Sequence, residues 1–298
     1  MNLIQPAYLK KGDKIGIVAC ARKISKEEIK PACDILKSWG LEIVLSKNLF
    51  NSDNQYSGTD SERAEDLQLM LNDSSIKAVI SARGGYGTVR IIDKIDFTEF
   101  KKHPKWVVGY SDITVLHSHI HNAGIETMHA TMPINFTKNE EAVECLRVAL
   151  FGEKLNYEIA AHHLNKKGCA EGELIGGNLS LIYALTGSIS DIDTKDKILF
   201  IEDLDEYLYH IDRMMINLKR SGKLSNLAGL IIGGMTDMKD NTIPYGKTVE
   251  EIILDAVAEY NYPVCFSFPA GHIDKNMAVY LGRKVKLNVG EKTALTYL

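Results

Sequence analysis

Short apolar runs that end at glycine or small residues alternate with amphipathic segments through the first half of the chain. The clearest runs are Lys14–Ala19, Leu41–Leu45, Ala78–Ser81 and Trp106–Val108. Runs this short and this apolar are typical of strands buried on both faces, and intervening helices supply the crossovers that parallel strands need. The alternation predicts an α/β fold with a parallel sheet covered by helices on both faces.

The segments between these runs carry helix signals. Ser25, with Glu28 three residues later, makes a capping-box pattern and predicts a helix that ends near Trp39, just before Gly40. Apolar spacing and strand boundaries predict further helices over Thr59–Leu71, Thr88–Ile95 and Ile113–His121.

The second half of the chain predicts a different architecture. Residues 150–170 are polar and irregular, so we place a linker there, between an N-terminal α/β domain (1–155) and a smaller C-terminal α+β domain (168–298). The C-terminal domain contains these predicted elements: strands at 197–201, 227–233 and 264–266, helices at 206–221 and 248–260, and a hairpin within 280–298.

The composition limits the possible partners and compartment. The net charge of −4 argues against a general nucleic-acid binder, which needs a basic surface. No apolar run approaches the roughly 20 residues that cross a bilayer, and the first residues lack a signal-peptide pattern. The five cysteines are scattered and form no CxxC pair, as expected for free thiols. We expect a cytoplasmic protein with neither a membrane nor a nucleic-acid partner.

Ser111 follows the apolar run Trp106–Val108 and Gly109, and it precedes a predicted helix. Ligands of parallel sheets bind at the carboxyl ends of the strands, so a serine there is placed to act as a nucleophile. The pattern differs from the G-x-S-x-G elbow because Ile113 stands at the second glycine. The residues alone favour a simpler role, in which Ser111 caps the next helix.

A glycine-rich loop, Arg83-Gly-Gly-Tyr-Gly87, follows another predicted strand. Its glycines allow close approach of the backbone to a ligand and expose N–H groups, although a tight turn explains them as well. The loop matches neither a P-loop nor a G-x-G-x-x-G fingerprint, so no nucleotide cofactor is expected.

An acidic cluster and several histidines complete the candidate set. Glu202, Asp203, Asp205 and Glu206 follow the predicted strand at 197–201, and such carboxylates can bind a metal, orient a histidine or cap a helix. His272 lies in a loop after a strand and Gly271, and His129 also follows a predicted strand.

His117 and His121 have the four-residue spacing of a metal pair, but no acidic residue has a matching phase, so we interpret them as helix surface. A serine, an acid and a histidine at strand ends make a triad conceivable, and spacing alone does not prove it.

Several ordered motifs together resemble the LD-carboxypeptidases, a family of serine peptidases that includes the microcin C self-immunity peptidases. The similar segments run through the whole chain: 82–86 (Ala-Arg-Gly-Gly-Tyr), 109–112 (Gly-Tyr-Ser-Asp), 176–180 (Gly-Gly-Asn-Leu-Ser), 198–203 (Ile-Leu-Phe-Ile-Glu-Asp), 210–214 (His-Ile-Asp-Arg-Met) and Gly271-His272. The chain has His129-Ala-Thr-Met132 where the family often has His-Gly-Pro-Met, which leaves the substrate preference open.

The resemblance implies a flavodoxin-like or class I amidotransferase-like N-terminal domain, a smaller C-terminal domain, and a homodimer. It implies a catalytic triad of Ser111, Glu202 and His272, so that the site would lie between the domains. It further implies an oxyanion hole of backbone amides and substrate contacts, and it requires no metal or cofactor. The oxyanion-hole amides would belong to Gly85 and Asp112, and the substrate contacts to Gly84, Tyr86, Tyr110 and His129.

The implied reaction is release of the terminal D-Ala from the muropeptide tetrapeptide in cytoplasmic peptidoglycan recycling. One alternative is hydrolysis of aminoacyl-nucleotide analogues, as in the immunity peptidases. That activity favours an aromatic residue that stacks on the base, and neither Trp39 in a helix nor Trp106 in a strand is an evident candidate. Another alternative is a non-catalytic two-domain protein that binds a small molecule. The sequence does not distinguish lysine from diaminopimelate at the third substrate position.

Overall fold

The computed structural model describes residues 3–298, which divide into two compact units. The first unit contains residues 3–154 together with 274–280. The second unit contains residues 155–273 together with 281–298.

The elements of residues 3–154 alternate between strand and helix. In chain order they are β1 (Lys14–Val18), α1 (Lys26–Ser38), β2 (Glu42–Leu45), α2 (Asp60–Asn72), β3 (Ile76–Ser81), α3 (Thr98–Lys102), β4 (Trp106–Gly109), α4 (Thr114–Asn122), β5 (Thr127–His129) and α5 (Glu140–Leu150).

The rest of the chain is richer in strands. Its elements are β6 (Asn156–Ala160), β7 (Gly168–Asn178), α6 (Leu179–Leu185), β8 (Ile198–Leu204), α7 (Leu208–Arg220), β9 (Gly229–Thr236), α8 (Val249–Val257), β10 (Val264–Cys265), β11 (Val279–Leu281), β12 (Lys284–Val289) and β13 (Lys292–Tyr297).

The first unit is built around a six-stranded sheet with the order β11-β5-β4-β3-β1-β2, in which strands β1 to β5 pair in parallel. Strands β1, β3, β4 and β5 are largely buried, as expected for a sheet covered on both faces, whereas β2 is the more exposed edge strand. The chain leaves β1 towards β2 on one side and later adds β3 on the other side. The carboxyl ends of β1 and β3 therefore flank the point where the strand order reverses, and ligands of such sheets bind there.

The second unit contains a seven-stranded mixed sheet with the order β10-β9-β8-β7-β12-β13-β6. Strands β7 to β10 pair in parallel, whereas β12 and β13 form an antiparallel hairpin between β7 and β6. The apolar faces of α7 and α8 share one buried cluster with β8 and β9. The predicted fold class, a parallel α/β sheet followed by a smaller α+β domain, is confirmed.

The helix start that was predicted from a short-range capping signal is confirmed. Ser25 caps α1 in the predicted capping box with Glu28, and Thr59 and Thr248 cap α2 and α8 in the same way. These caps satisfy backbone N–H groups that would otherwise lack partners at the helix starts.

Two local predictions were wrong. The segment Thr88–Ile95 forms two short 3₁₀ turns instead of an α-helix. Four of its residues are β-branched apolar side chains of modest helix propensity, and the Thr88 N–H is taken by the Asp112 carboxylate at 2.7 Å. Residues 156–160 form strand β6 at the sheet edge, within the stretch 150–170 that we predicted to be irregular.

Candidate active site

Ser111 occupies a strained turn between β4 and α4. Its φ is +64°, a left-handed conformation that costs a non-glycine residue about 1–3 kcal/mol and is concentrated at functional sites. Its side chain does not cap the 3₁₀ turn Ser111–Ile113 or α4, and its hydroxyl forms no hydrogen bond within residues 3–298. The simpler role as a helix cap is therefore wrong, and the hydroxyl is available for chemistry.

Ile113 has a structural reason to stand where a hydrolase elbow carries its second glycine. A Cβ added to Gly109 would lie 2.9 Å from Cγ1 of Ile113, so the isoleucine packs directly over the glycine that ends β4. Gly109 permits this close approach, because a side chain there would overlap Ile113.

The glycine loop after β3 packs against Ser111. A Cβ added to Gly84 would lie 2.9 Å from Cβ and 3.0 Å from Oγ of Ser111, which is too close for any side chain at position 84. Gly85 has φ +125°, and a Cβ there would lie 2.5 Å from Cγ of Arg22. Two glycines are therefore needed for the loop to pass between Ser111 and Arg22.

The two amides that the resemblance assigns to an oxyanion hole are unengaged. Within residues 3–298, the backbone N–H groups of Gly85 and Asp112 donate no hydrogen bond. Asp112 is fully buried, and a buried donor without a partner costs about 1–3 kcal/mol. Such groups are rare in folded proteins, and binding of a developing oxyanion is one function that accounts for them.

Beneath this loop lies a buried charged framework that sequence reasoning missed. The Arg63 guanidinium, 1% exposed, donates to the backbone oxygens of Cys20 at 2.5 Å and Gly87 at 3.1 Å, and it pairs with Asp60. The Asp112 carboxylate accepts the Thr88 N–H, and burial raises its pKa. One signal was present: Arg63 shares the α2 face of Leu67 and Met70, where an apolar residue is expected.

His117 anchors the end of β4 from helix α4. Its Nε2 donates to the Gly109 carbonyl at 2.9 Å, since a carbonyl oxygen only accepts, and burial lowers its pKa to about 4. Our interpretation of His117 as helix surface is wrong, because α4 is buried on most of its sides.

The buried side chains of Tyr110 and His129 lie next to this anchor. Their ring centroids are 5.8 Å apart, and the centroid of His129 is 6.5 Å from that of His117. His129 is the last residue of β5 and is fully buried, whereas Tyr86 in the glycine loop is 47% exposed. Of these two residues, Tyr86 is therefore the one with surface open to a ligand.

In the second unit, the structure brings Glu202 and His272 together. Oε2 of Glu202, which is fully buried in β8, lies 2.6 Å from Nδ1 of His272 and accepts the His272 backbone N–H at 3.0 Å. An ionised carboxylate only accepts, so Nδ1 carries the proton and Nε2 is left as a base.

The electrostatics of this pair make His272 a stronger base. Burial disfavours the imidazolium, but the charge of Glu202 and the hydrogen bond to it outweigh burial and raise the pKa of His272. Gly271 makes the contact possible, since a Cβ there would lie 2.6 Å from Cβ of Glu202.

The other members of the acidic cluster have different partners. Asp203 accepts from the Asn178 side chain and from the backbone and hydroxyl of Ser180, each at 2.9 Å. Glu206 lies 2.5 Å from Nδ1 of His210, and exposed Asp205 pairs with Lys239 at 2.6 Å. Of the four acids, Glu202 is the one that holds His272.

Two further findings concern residues 3–298 as a whole. No group of three or more His, Cys, Asp or Glu side chains in this range is arranged to hold a metal ion. None of the helices described there is long and apolar enough to span a membrane.

Comparisons with known proteins agree with this architecture. Residues 15–130 match the LD-carboxypeptidase N-terminal domain, and residues 171–287 match the LD-carboxypeptidase C-terminal domain. A probable murein peptide carboxypeptidase of Bacillus subtilis is 38% identical over 302 residues, covering 98% of this chain and 93% of the relative. This chain belongs to the LD-carboxypeptidase family. It is a serine carboxypeptidase, and the non-catalytic alternative is not supported.

Solved structures share the fold of this LD-carboxypeptidase. The muramoyltetrapeptide carboxypeptidase of Oxalobacter formigenes has a TM-score of 0.86 at 24% identity, covering 95% of this chain and 98% of the other. The microcin C7 self-immunity protein MccF in complex with aspartyl sulfamoyl adenosine has a TM-score of 0.89 at 20% identity, covering 99% and 98%.

Proposed function

We propose that this LD-carboxypeptidase releases the terminal D-Ala from muropeptide tetrapeptides in cytoplasmic peptidoglycan recycling, using Ser111, Glu202 and His272, and that it acts as a homodimer. The observation that carries the proposal is the Glu202–His272 pair, which leaves His272 Nε2 as a base. The relatives named for murein peptides supply the substrate class.

Acylation would begin with attack of Ser111 Oγ on the carbonyl before the terminal D-residue. His272 Nε2 would take the serine proton, and Glu202 would hold the imidazole orientation and stabilise its positive charge. The strained backbone at Ser111 presents a hydroxyl without a hydrogen-bond partner among residues 3–298, so no existing bond has to break first.

The tetrahedral intermediate would place negative charge on the former carbonyl oxygen. The unengaged N–H groups of Gly85 and Asp112 are the donors we assign to it, because they need no reorganisation when the charge develops. His272 would then return its proton to the leaving amine of D-Ala. A water molecule, activated by the same histidine, would hydrolyse the acyl-enzyme and regenerate Ser111.

The residues proposed to contact substrate form two groups, one accessible to a ligand and one buried. Gly84 and Tyr86 are the candidates for direct contact, since Gly84 abuts Ser111 and the Tyr86 ring is exposed. Buried Tyr110 and His129 are proposed to shape the back of the site.

The test is release of D-Ala from a purified tetrapeptide, measured with the wild type and with Ser111→Ala. We expect loss of at least about 10³-fold in kcat, since removal of a triad member costs this much or more. Ser74→Ala, at an exposed serine of the same unit, is the matched control and should keep full activity. A fluorophosphonate probe should label Ser111 in the wild type. Full hydrolysis by Ser111→Ala would end the proposal.

A second candidate is hydrolysis of aminoacyl-nucleotide analogues. It is supported by the fold shared with MccF and by the exposed Tyr86 ring, 6.3 Å from that of Tyr56, which offers an aromatic surface to a base. Trp106, buried in β4, is not available for stacking. Comparing kcat/KM for the tetrapeptide and for an aminoacyl sulfamoyl adenosine on one preparation would separate the two functions.

A further inference from the structure

Arg22 stands at the ligand-binding edge of the first sheet. It follows β1, and the glycine loop follows β3, so the two flank the point where the strand order reverses. The backbone around it is held in place: its N–H donates to the Gly84 oxygen at 3.4 Å, and the next residue, Lys23, donates to Gln55 at 3.0 Å. The fold therefore fixes the backbone position from which the Arg22 side chain extends.

The stem of Arg22 reaches the immediate surroundings of the nucleophile. Its Cγ packs on Gly85, where an added Cβ would lie 2.5 Å away, while the preceding Gly84 packs on Ser111. Consecutive Cα atoms are about 3.8 Å apart. The arginine stem and the serine hydroxyl thus contact neighbouring residues of one loop.

Arg22 is an exposed residue, and its guanidinium has no hydrogen-bond or ion-pair partner within residues 3–298. The other arginines around the loop are occupied. Arg83 donates to the Lys23 oxygen at 3.1 Å and lies 3.7 Å from Glu28, and both Arg63 and Arg90 pair with Asp60. Among these arginines, Arg22 alone keeps the full planar fork that matches a carboxylate.

We propose that Arg22 binds the free carboxylate of the terminal residue that the enzyme releases. A carboxypeptidase substrate carries this carboxylate separated from the scissile carbonyl only by the amide nitrogen and one Cα atom. A cation next to the nucleophile loop is placed to receive it. The inference rests on the proposed function, since it takes Ser111 as the nucleophile and a peptide as the substrate.

Binding without turnover tests this role. In a Ser111→Ala background, the tetrapeptide with a free carboxylate should bind about 10- to 100-fold tighter than its C-terminal amide, as expected for a charge-assisted hydrogen bond. Adding Arg22→Met should abolish this difference. Adding Arg22→Lys should keep part of it, because lysine retains the charge without the fork. Calorimetric titration with the two peptides gives the affinities.

Lys23→Met is the matched control, since Lys23 is an adjacent exposed cation whose Nζ lies 3.3 Å from the Ser52 hydroxyl. It should leave the preference for the free acid unchanged. Two results would overturn the Arg22 assignment. One is equal affinity of the Ser111→Ala protein for the free acid and the amide. The other is an equal loss of affinity for both peptides when Arg22→Met is added. If the acid preference depends on Arg22 but the wild type releases no D-Ala, the proposed function fails and the carboxylate site stands.

Discussion

One carboxylate oxygen of Glu202 holds His272 twice, accepting the backbone N–H at 3.0 Å and facing Nδ1 at 2.6 Å. Both the position of the residue and the orientation of its ring therefore depend on the same atom. Gly271, which has no side chain to intervene, lets the strand end and the histidine loop approach each other.

Glu202→Gln should disable the histidine without unfolding the protein. An amide can donate as well as accept, so the protonated state of Nδ1 is no longer enforced and the imidazolium loses its counter-charge. We expect kcat to fall by about 10²- to 10⁴-fold, as for comparable substitutions in triads. Asp205→Asn, at an exposed acid of the same cluster, should stay close to wild type. Steady-state D-Ala release measures both, and an active Glu202→Gln would remove Glu202 from the mechanism.

The pH profile should reflect the raised pKa of His272. Acylation needs the neutral imidazole, so kcat/KM should rise with pH through a midpoint above the ordinary histidine value of about 6.5. In Glu202→Gln the residual activity should show a midpoint at lower pH, because the charge that raises the pKa is gone while burial, which lowers it, remains. If Glu202→Gln leaves the midpoint pH unchanged, a group other than His272 determines the pH dependence of kcat/KM.

Arg63→Met should destabilise the first unit more than the matched change at Arg90. Both arginines pair with Asp60, but Arg63 is buried and also donates to the Cys20 and Gly87 oxygens. We expect a loss of about 3 kcal/mol in the free energy of unfolding for Arg63→Met, compared with at most about 1 kcal/mol for exposed Arg90→Met. Urea unfolding supplies both values. Similar losses would contradict the buried framework.

His117 should make stability pH-dependent. Its pKa is about 4 in the folded protein and about 6.5 when unfolded, so the unfolded chain binds a proton first as the pH falls. Neutral His117 contributes fully to the free energy of unfolding above pH 6.5. This contribution is lost as the pH falls to 4, and the total loss is about 3 kcal/mol. The free energy of unfolding, measured at pH 6.5 and at pH 4, should decrease less for His117→Gln than for the wild type. His103→Gln, at an exposed histidine, should retain the wild-type drop.

Much of this fold could be predicted because its signals are local. The capping box at Ser25 and Glu28 depends on four consecutive residues, and it is present as expected. Strands β1, β3 and β4 are buried on both faces, so their apolar runs mark them without reference to the rest of the chain. The triad assignment came from the resemblance, since spacing alone left Ser111 open as a helix cap.

The missed features depend on contacts between distant parts of the chain. His117 is buried because α4 packs on several elements, which the order of its residues does not reveal. Arg63 sits on an apolar face because two backbone oxygens, at Cys20 and Gly87, receive its donors. Strand β6 forms because it pairs antiparallel with β13, which lies at the other end of the chain. In each case tertiary structure overrides the local pattern.

The left-handed backbone at Ser111 also restricts which nucleophiles this turn can carry. A threonine would bring a second heavy atom on Cβ against its own backbone, and β-branched residues are genuine outliers at positive φ. Cysteine branches no more than serine does, so the backbone itself accepts it. This turn can therefore carry a cysteine nucleophile in place of serine, whereas its main-chain conformation disfavours a threonine nucleophile.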